Sequence, residues 1–330
     1  MPENLSHWQD KIQNAICDTV PVIFVMGATA TGKTDVAALM SNDMPAELIS
    51  VDSSLVYRGM NIGTAKPDQT FLNQYPHHLI NIRNPDQTYS AADFCQDAKK
   101  LITEIIARGN MPILVGGTSF YFSALENGLP DLPEKNLTIR RQIEQEAAEK
   151  GWSAMHHKLQ ELDPQSAERI HVNDPQRIQR ALEINIVTGK PVTNKTSSKP
   201  LINNPIVKIA VYHHDRKVLH RRIERRFEKM MKQGLDKEID ALLQQYSKEI
   251  PAFKMIGYRQ YIHGIENKET LESINEKSII ATRQLAKRQL TWLRNQSGVL
   301  WQSVNKDNLT ESSAFLAQYS LFWSQNIMHF

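Results

Sequence analysis

Cysteine and long apolar runs are both scarce in this sequence. The chain has two cysteines, Cys17 and Cys95, which form neither a disulfide framework nor a metal-ligand spacing. No apolar run approaches the roughly 20 residues that a membrane-spanning helix needs. The polar start, residues 1–13, lacks the pattern of a secretory signal or a transit peptide. We therefore expect a cytoplasmic protein with reduced thiols and no membrane contact.

A strong net charge is also absent, since 39 basic residues stand against 36 acidic ones. The basic residues are nevertheless clustered. Residues 213–232 contain eight Lys or Arg and three acids, and residues 283–294 contain four basic residues and no acid. One such run is typical of a solvated helix face. Two runs in a chain that also carries a phosphate-binding motif favour a polyanionic partner.

Short apolar runs alternate with helical patterns through much of the chain. The predicted strands are residues 21–26, 47–52, 111–118 and 207–214, and the predicted helices between them include 35–43 and 90–107. This alternation is typical of an α/β fold with a parallel sheet covered by helices on both faces.

The middle of the chain has a different composition. Residues 135–190 are rich in Glu, Gln, Arg and Ala, with Leu and Ile at helical intervals. One helix should begin at Asp174-Pro175 and end before Gly189. We therefore predict three segments: a first part of the α/β core at 1–124, a mostly helical insertion at 125–200, and the remainder of the core with C-terminal helices at 201–330.

A P-loop follows the first predicted strand. Residues 27–34, GATATGKT, match GxxxxGK[ST] between a strand and a helix, which is the context its mechanism requires. In such a loop backbone N–H groups and the helix N-terminus face phosphate oxygens. Lys33 would neutralise the distal phosphate and Thr34 would place its hydroxyl on Mg²⁺. The phosphate-binding residues are Gly27, Ala28, Thr29, Ala30, Thr31, Gly32, Lys33 and Thr34. The fold is thus predicted to be a P-loop NTPase-like parallel sheet flanked by helices, with a helical insertion domain.

An acid that would complete an ATPase or GTPase site is missing. Such enzymes end a second apolar strand in Asp or Asp-Glu to hold the metal and the water. Here the run 111–118 ends in Gly116 and Gly117 instead. The P-loop therefore indicates a polyphosphate ligand, and a reaction other than hydrolysis is favoured.

Asp52 is the acid found at a strand end. We expect its strand to lie beside the P-loop strand, where ligands bind at the carboxyl edge of an α/β sheet. Its carboxylate would be a general base or a metal ligand, and the alternative is a turn cap with Ser53 and Ser54. The glycine-punctuated tract 57–67 is typical of a functional loop.

Taken together, the motifs resemble the bacterial tRNA dimethylallyltransferase (tRNA isopentenyltransferase) family. The resemblance spans roughly residues 20–300. It is carried by GATATGKT, ISVDSSLVYRGMNIGTAKP, PHHLINI, YSAADF, ILVGGTSFY, NDPQRIQRALE, MIGYRQ and ATRQLAKRQLTWLR.

The resemblance implies a reaction and its residues. The family transfers a dimethylallyl group from dimethylallyl diphosphate to N6 of the adenosine 3′-adjacent to the anticodon, position 37 of tRNA. The P-loop would hold the diphosphate with Mg²⁺, and Asp52 would accept the proton of the N6 amine. Arg222 and Thr118 would also be catalytic, Arg222 by stabilising the diphosphate charge. The target base would be flipped into a channel.

The resemblance also implies a set of tRNA contacts. They are Asp52, Ser53, Ser54, Leu55, Arg140, Gln176, Arg177, Ile178, Gln179, Arg180, Lys254, Met255, Ile256, Gly257, Tyr258, Arg259, Arg283, Lys287, Arg288, Gln289, Leu290, Thr291, Trp292, Leu293 and Arg294. Helical geometry at 100° per residue places Arg283, Lys287 and Arg294 on one face. It places Ala281, Leu285 and Trp292 on the opposite face, which we predict to be buried. Tyr258 and Trp292 could stack on bases, although core packing is favoured for Trp292.

Some residues depart from the family pattern. Ala28 stands where relatives have Pro, Thr31 where they have Ser, and Leu55 where many have Gln. The C-terminal zinc-finger pattern of eukaryotic forms is absent. The adjacent His77 and His78 suggest structural roles rather than a metal site. We expect a monomer.

Three other functions remain open from the sequence. A small-molecule P-loop kinase would use the same Lys33, but it would not need the helical insertion and the basic runs. An RNA-binding module with a degenerate P-loop would not need intact Lys33, Thr34 and Asp52. A transferase that prenylates AMP or ADP would have no use for NDPQRIQR or KRQLTWLR.

Overall fold

The computed structural model describes residues 20–130, 132–192 and 199–304. These residues form two compact units. One unit comprises the described residues up to Glu126 and from Leu201 onward, and the other is Asn127–Pro200. Sequence analysis sets these boundaries at 125 and 200. Cys95 is a buried free thiol, whereas Cys17 lies outside the described residues.

The first unit contains a parallel sheet of six strands, which confirms the predicted fold class. The strands are β1 (Val22–Gly27), β2 (Ala46–Val51), β3 (His77–His78), β4 (Met111–Gly116), β5 (Ile206–Tyr212) and β6 (Val299–Ser303). Their order across the sheet is β3-β2-β4-β1-β5-β6. β1 and β4 are buried along their whole length, as expected of continuous apolar runs covered on both faces.

The position of β2 differs from the prediction. β4 lies between β1 and β2, because Ile113 pairs with Ile23 on one side and with Leu48 on the other. Asp52 is therefore two strands away from the P-loop strand, not beside it. A buried parallel strand has the same apolar pattern whichever neighbours it pairs with, so the sequence pattern could not decide the order.

The two edge strands were not among the predicted ones. β3 is only two residues long, and β6 is half-buried with Trp301 exposed. Neither segment therefore has the fully apolar run by which the central strands were identified.

Helices cover the sheet and fill the second unit. In chain order they are α1 (Lys33–Asp43), α2 (Gln69–Gln74), α3 (Ala91–Ala107), α4 (Ser119–Asn127), α5 (Leu137–Leu162), α6 (Pro164–Arg169), α7 (Pro175–Thr188), α8 (Arg216–Lys232), α9 (Leu235–Leu243), α10 (Tyr258–Glu266) and α11 (Leu271–Arg294), with a 3₁₀ turn at Pro251–Lys254. α3 begins with a capping box in which Ser90 and Asp93 bond each other's backbone N–H. α7 begins and ends as predicted, with Asp174 as N-cap and Gly189 as a left-handed C-cap.

Two apolar clusters organise the first unit. One packs α1 against the sheet and includes Val36, Met40 and Ile113. The other joins α8, α9 and α10 to the loop after Asp52, through residues such as Met60 and Tyr258. The loop 57–67 is thus held against a helical layer, although it has no regular secondary structure of its own.

The second unit is a small helical assembly of α5, α6 and α7. Its apolar core includes Leu159, Ile178 and Leu182. Glu183 is fully buried and accepts hydrogen bonds from Arg140 at 2.9 Å and from Arg180 at 2.7 Å. A buried carboxylate requires such partners because its desolvation is costly when it is unpaired. Across all the residues that the structure describes, no helix is both long enough and apolar enough to span a membrane.

Candidate active site at the carboxyl edge of the sheet

The P-loop forms a tight curl between β1 and α1, which we call the phosphate cradle (residues 27–34). Gly32 has φ +94° and begins α1. The buried Thr31 closes the curl, because its N–H and its Oγ1 both donate to the Ala28 carbonyl, at 3.3 and 2.9 Å. A Cβ on Gly27 would lie 2.6 Å from Thr31 Oγ1, so this position requires glycine. The first N–H groups of α1, which lack intrahelical acceptors, remain available to an anion.

One predicted feature of the cradle is wrong in detail. The Thr29 N–H does not serve the phosphate site, because it donates to Gln289 Oε1 at 2.9 Å. The Thr31 N–H is likewise used inside the loop. Phosphate contacts are therefore left to the N–H groups nearer the start of α1.

Lys33 is half-buried in the cleft above the cradle. Its Nζ donates to the Ala28 carbonyl at 3.4 Å. Burial lowers the pKa of Lys33 to about 8, the Asp52 carboxylate opposes this by raising the pKa, and the Arg226 guanidinium lowers it further. Lys33 and Asp52 thus interact electrostatically across one cleft, although β4 lies between the two strands that they follow.

Asp52 follows β2 and makes the turn-cap contacts that the sequence offered as one alternative. Its Oδ1 accepts from the Ser54 N–H at 2.9 Å and from Ser54 Oγ at 2.5 Å, so it caps the turn. It also lines the central cavity. Thr118 lies next to this turn, and its Oγ1 accepts from the Ser53 N–H at 3.1 Å. A carboxylate has two oxygens, so the turn bonds to Oδ1 leave Oδ2 for a substrate proton.

Two arginines of α8 reach the cradle. Arg222 Nε donates to the Ala30 carbonyl at 2.7 Å. Arg226, one turn later, approaches Thr29 Oγ1 and the Thr64 carbonyl, each at 3.5 Å. Burial lowers the pKa of Arg226 while Asp52 raises it. With Lys33, three cationic side chains surround the space in front of the cradle.

These residues line one large cavity of about 2140 Å³. Pockets for small ligands usually have about 300–1,000 Å³, so this space can hold more than one small molecule. Its walls come from the cradle, the turn at Asp52, the loop 61–69, the start of α4, α8 and one face of α11. The cradle, its three neighbouring cations and the Asp52 carboxylate therefore share one cavity.

Comparisons with known proteins identify the family of this chain. A model of the family described as IPP transferase matches residues 55–296. The tRNA dimethylallyltransferase of Thiobacillus denitrificans (strain ATCC 25259 / T1) is 46% identical over 299 residues, which are 90% of this chain and 96% of that protein. The chain belongs to the IPP transferase family.

Solved structures of similar proteins extend the likeness to the fold. The full-length tRNA isopentenylpyrophosphate transferase of Bacillus halodurans is 35% identical with a TM-score of 0.66, over 94% of this chain and 100% of that one. The corresponding Staphylococcus epidermidis transferase is 30% identical with a TM-score of 0.64, over 93% and 100%. A eukaryotic dimethylallyltransferase acting on tRNA is 26% identical with a TM-score of 0.75, over 94% and 80%.

The structure shows which of the residues that the sequence predicts as tRNA contacts are accessible. In the segment 254–259, Lys254, Met255, Ile256 and Arg259 line the cavity, and Gly257 begins α10 with φ +93°. Tyr258 has no exposed surface and donates its hydroxyl to Glu238 at 2.6 Å. The prediction that Tyr258 could stack on a base is therefore wrong, because its ring belongs to the core.

The predicted buried face of α11 in this IPP transferase is wrong. Ala281, Leu285 and Trp292 are half-exposed and line the cavity, so the favoured core packing of Trp292 is not seen. The buried positions are Ile274, Ser278, Ala286, Gln289 and Leu293. An ideal helical wheel gives relative angles only, and the packing of α11 against the rest of its unit decides which sector is buried.

The remaining α11 residues fall into two groups. Lys287, Arg288, Thr291 and Arg294 are exposed, as a contact surface requires. The others are unsuited to direct RNA contact: Leu293 is buried, Leu290 packs against the cluster of Ala28, Leu219, Ile223 and Ala286, and Arg283 forms an ion pair with Glu224.

In the helical unit the predicted contacts divide in the same way. Gln176 and Arg177 are exposed at the start of α7, whereas Ile178 and Gln179 are buried. Arg140 and Arg180 are engaged by Glu183. The predictions for the side chains of Ile178 and Gln179 are therefore wrong, since one turn of a packed helix presents only part of its residues to a partner.

Three residues near the site were missed by sequence reasoning. Arg226 could have been found, because it lies four residues after Arg222 and so on the same helix face. Lys66 donates to the Tyr57 carbonyl and to Asn81 Oδ1, both at 2.6 Å. Glu238 accepts from three N–H groups of the loop after Asp52. No local pattern marks Glu238, whose loop partners lie 175 to 177 positions away. Lys66 lies within the predicted functional loop, but nothing in the local sequence indicates its bonds to Tyr57 and Asn81.

A metal site built from protein side chains alone is absent from the described residues, since no three His, Cys, Asp or Glu there lie together as ligands. His78 pairs with Glu47 at 2.8 Å, and His77 Nδ1 donates to the Tyr75 carbonyl at 2.7 Å. The structural roles expected for both histidines agree with these contacts.

Proposed function

We propose that this protein is a tRNA dimethylallyltransferase. It transfers the dimethylallyl group of dimethylallyl diphosphate to N6 of the adenosine 3′-adjacent to the anticodon, position 37, giving N6-isopentenyladenosine and diphosphate. One observation carries the proposal: a phosphate cradle and the Asp52 carboxylate face one cavity, while β4 ends in glycines rather than in a hydrolytic acid. The 46% identical relative with this name supports the same reaction.

The leaving group is the first requirement of this chemistry. As the bond between the allylic carbon and the diphosphate oxygen breaks, negative charge grows on the diphosphate. Lys33, Arg222 and Arg226 surround the cradle with positive charge, and the α1 N-terminus adds its dipole. The protein thereby stabilises the departing diphosphate without forming a covalent intermediate.

The nucleophile is the second requirement. The N6 amine of adenine forms the new bond to the allylic carbon and must lose a proton. Asp52 Oδ2 accepts that proton, while the bonds from Ser54 to Oδ1 keep the carboxylate oriented. Because an adenine amine is a weak nucleophile, alignment of the two substrates lowers much of the barrier.

Mg²⁺ is part of the proposal. The ion prefers oxygen ligands and in phosphate sites is usually bound through one or two protein groups, substrate phosphates and water. The Thr34 hydroxyl in the cavity wall, with the Asp52 carboxylate lining the same cavity, fits this donor set. When bound, Mg²⁺ would neutralise diphosphate charge.

The second substrate is a large polyanion. Exposed basic residues of α11 (Lys287, Arg288 and Arg294) and the exposed Arg177 of the helical unit support contacts with phosphates of a tRNA anticodon stem-loop. The cavity volume supports a base flipped out of its stack. We further expect the enzyme to act as a cytoplasmic monomer.

The proposal is tested with purified protein, dimethylallyl diphosphate, Mg²⁺ and unmodified tRNA, followed by mass spectrometry of the nucleosides. We expect a five-carbon addition to one adenosine. Asp52→Asn keeps an oxygen for the Ser54 bonds but removes the base, so transfer should fall by about 10²–10⁴-fold, with tRNA binding retained. Ser54→Ala is the matched control for the turn.

Other outcomes would contradict the proposal in distinct ways. Transfer of the terminal phosphoryl group of ATP to a small alcohol would identify a kinase. Prenylation of AMP or ADP in preference to tRNA would identify a nucleotide prenyltransferase. Loss of tRNA binding in Asp52→Asn, with normal turnover of the tRNA that does bind, would remove Asp52 from the role of base.

A further inference from the structure

Gln289 lies where α11 meets the ends of two strands. Its side chain is buried, with 9% of its surface exposed. Oε1 accepts from the Thr29 N–H at 2.9 Å, and Nε2 donates to the Gly117 carbonyl at 2.8 Å. A backbone N–H can only donate and a carbonyl can only accept, so the two partners determine the orientation of the amide.

The two partners of Gln289 belong to different parts of the site. Thr29 is in the phosphate cradle after β1, and Gly117 follows β4. The next residue, Thr118, donates its N–H to the Val51 carbonyl at 3.2 Å and accepts the Ser53 N–H at 3.1 Å. A continuous path of hydrogen bonds and short backbone links therefore runs from the cradle through Gln289 to the turn that carries Asp52.

This path matters because the phosphate cradle and Asp52 follow two strands that do not pair with each other. β4 separates β1 from β2, so direct strand pairing cannot set the spacing of their two ends. Gly116, the last residue of β4, and Gly117 permit the close approach. A Cβ on Gly117 would lie 2.6 Å from Gln289 Nε2, and a Cβ on Gly116 would lie 2.0 Å from the Val51 carbonyl oxygen.

Direct contact of Gln289 with RNA, as the family resemblance implied, does not fit this position. Its amide is buried, and both ends are satisfied by backbone groups. The neighbouring Arg288 is exposed and lines the cavity. Gln289 also borders the cavity, but its amide bonds are made to the backbone groups that carry the site.

We propose that Gln289 is a positioning residue that sets the spacing between the phosphate cradle and the Asp52 carboxylate. The inference rests on the proposed function, in which the cradle holds the leaving group and Asp52 receives the proton. A misplacement of about 1 Å in such a site can cost on the order of 10² in rate. Gln289 acts through Thr29 and Gly117, because its amide bonds are made to their backbone groups.

The first test replaces the amide without changing the length of the side chain much. Gln289→Met removes both hydrogen bonds, and kcat for dimethylallyl transfer should fall on the order of 10²-fold. The dissociation constant for tRNA should change by less than about twofold, since no RNA contact is lost. The matched control is Gln296→Met. Gln296 lies just after α11 and its amide donates to the Trp292 carbonyl, away from both strand ends, so this change should leave kcat unchanged.

A second variant separates positioning from simple loss of packing. In Gln289→Glu the new carboxylate still accepts from the Thr29 N–H but repels the Gly117 carbonyl. Its protonated form can donate to that carbonyl, as the amide does, and burial raises the pKa of such a carboxyl. The ratio of variant to wild-type kcat should therefore increase as the pH falls from about 9 to about 6 for Gln289→Glu and stay flat for Gln289→Met.

The outcomes are distinguishable. If the wild type transfers no dimethylallyl group to tRNA, the proposed function fails and the inference fails with it. If the wild type is active and Gln289→Met keeps its kcat but binds tRNA more weakly, the inference is overturned and Gln289 is an RNA contact. If Gln289→Met does not fold, a pH-independent kcat ratio in Gln289→Glu overturns the inference by itself.

Discussion

Two lysines that line the cavity, Lys33 and Lys66, have similar pKa values but lie in different surroundings. Burial lowers the pKa of Lys33 to about 8, and Asp52 limits the fall. Burial also lowers the pKa of Lys66 to about 8, and the Glu238 carboxylate opposes this fall. Lys33 lies in the phosphate cradle, whereas Lys66 holds the loop through the Tyr57 carbonyl and Asn81. Only the protonation of Lys33 should directly affect diphosphate binding.

At the residue scale we expect KM for dimethylallyl diphosphate to depend on pH through Lys33. The diphosphate binds the protonated lysine, so as pH rises through about 8 the substrate-free enzyme loses the cation. KM should then increase by up to about tenfold per pH unit. Steady-state kinetics between about pH 7 and 9.5 would show the break.

Matched variants of the two lysines show which of them causes the pH dependence of KM. Lys33→Arg keeps its charge over this range, since guanidinium does not titrate there, and its KM should be flat with pH whatever its absolute value. Lys66→Arg should keep the break. The reverse result, a break lost in Lys66→Arg and kept in Lys33→Arg, would assign the titration to the loop lysine.

At the element scale, a single carboxylate accepts hydrogen bonds from three N–H groups of the loop after Asp52. Glu238 of α9 accepts from the N–H groups of Asn61, Ile62 and Gly63 at 2.7, 2.8 and 3.0 Å. It also accepts the Tyr258 hydroxyl at 2.6 Å. The loop forms no strand or helix of its own, so these charge-assisted bonds replace the missing ladder of backbone bonds.

Removing this carboxylate should release the loop. We expect Glu238→Ala to lower the free energy of unfolding by about 2–3 kcal/mol, because three N–H groups lose their acceptor. Urea denaturation followed by circular dichroism measures it. Glu228→Ala, at an exposed site of α8, is the control and should stay within about 0.5 kcal/mol of the wild type. An equally small effect of Glu238→Ala would show that the apolar cluster alone holds the loop.

At the scale of the whole molecule, charge placement matters more than net charge. The chain carries a net charge of only +3, yet α11 presents Lys287, Arg288 and Arg294 at its surface with no acid between 283 and 294. Arg283 lies in the same helix but is engaged by Glu224. Basic side chains that neutralise phosphates release counterions, whereas Arg283 would first have to give up its ion pair with Glu224.

This difference predicts the salt dependence of tRNA binding. Replacing Lys287, Arg288 and Arg294 by Gln should reduce the slope of log K against log salt by about 2, at roughly 0.7–0.9 per lost phosphate contact. Arg283→Gln, measured over the same series of salt concentrations, should leave the slope nearly unchanged. An unchanged slope in the triple variant would remove this face of α11 from the RNA interface.

The sequence by itself determined the local chemistry of this protein. The cradle at 27–34, the helix bounded by Asp174 and Gly189, and the apolar runs of β1 and β4 each depend on neighbouring residues, whose backbone preferences and periodicity are written in order along the chain. The acid at Asp52 and the glycines at the end of β4 could be read for the same reason, and they favoured a reaction other than hydrolysis.

Only the tertiary structure decided which of these parts meet. The insertion of β4 between β1 and β2, the burial of Tyr258, and the sector of α11 that faces the strands all depend on contacts between residues far apart in the chain. Gln289 bonds Thr29 across 260 positions and Gly117 across 172. No local pattern encodes such a pairing, because the free energy that selects it comes from packing whole elements together.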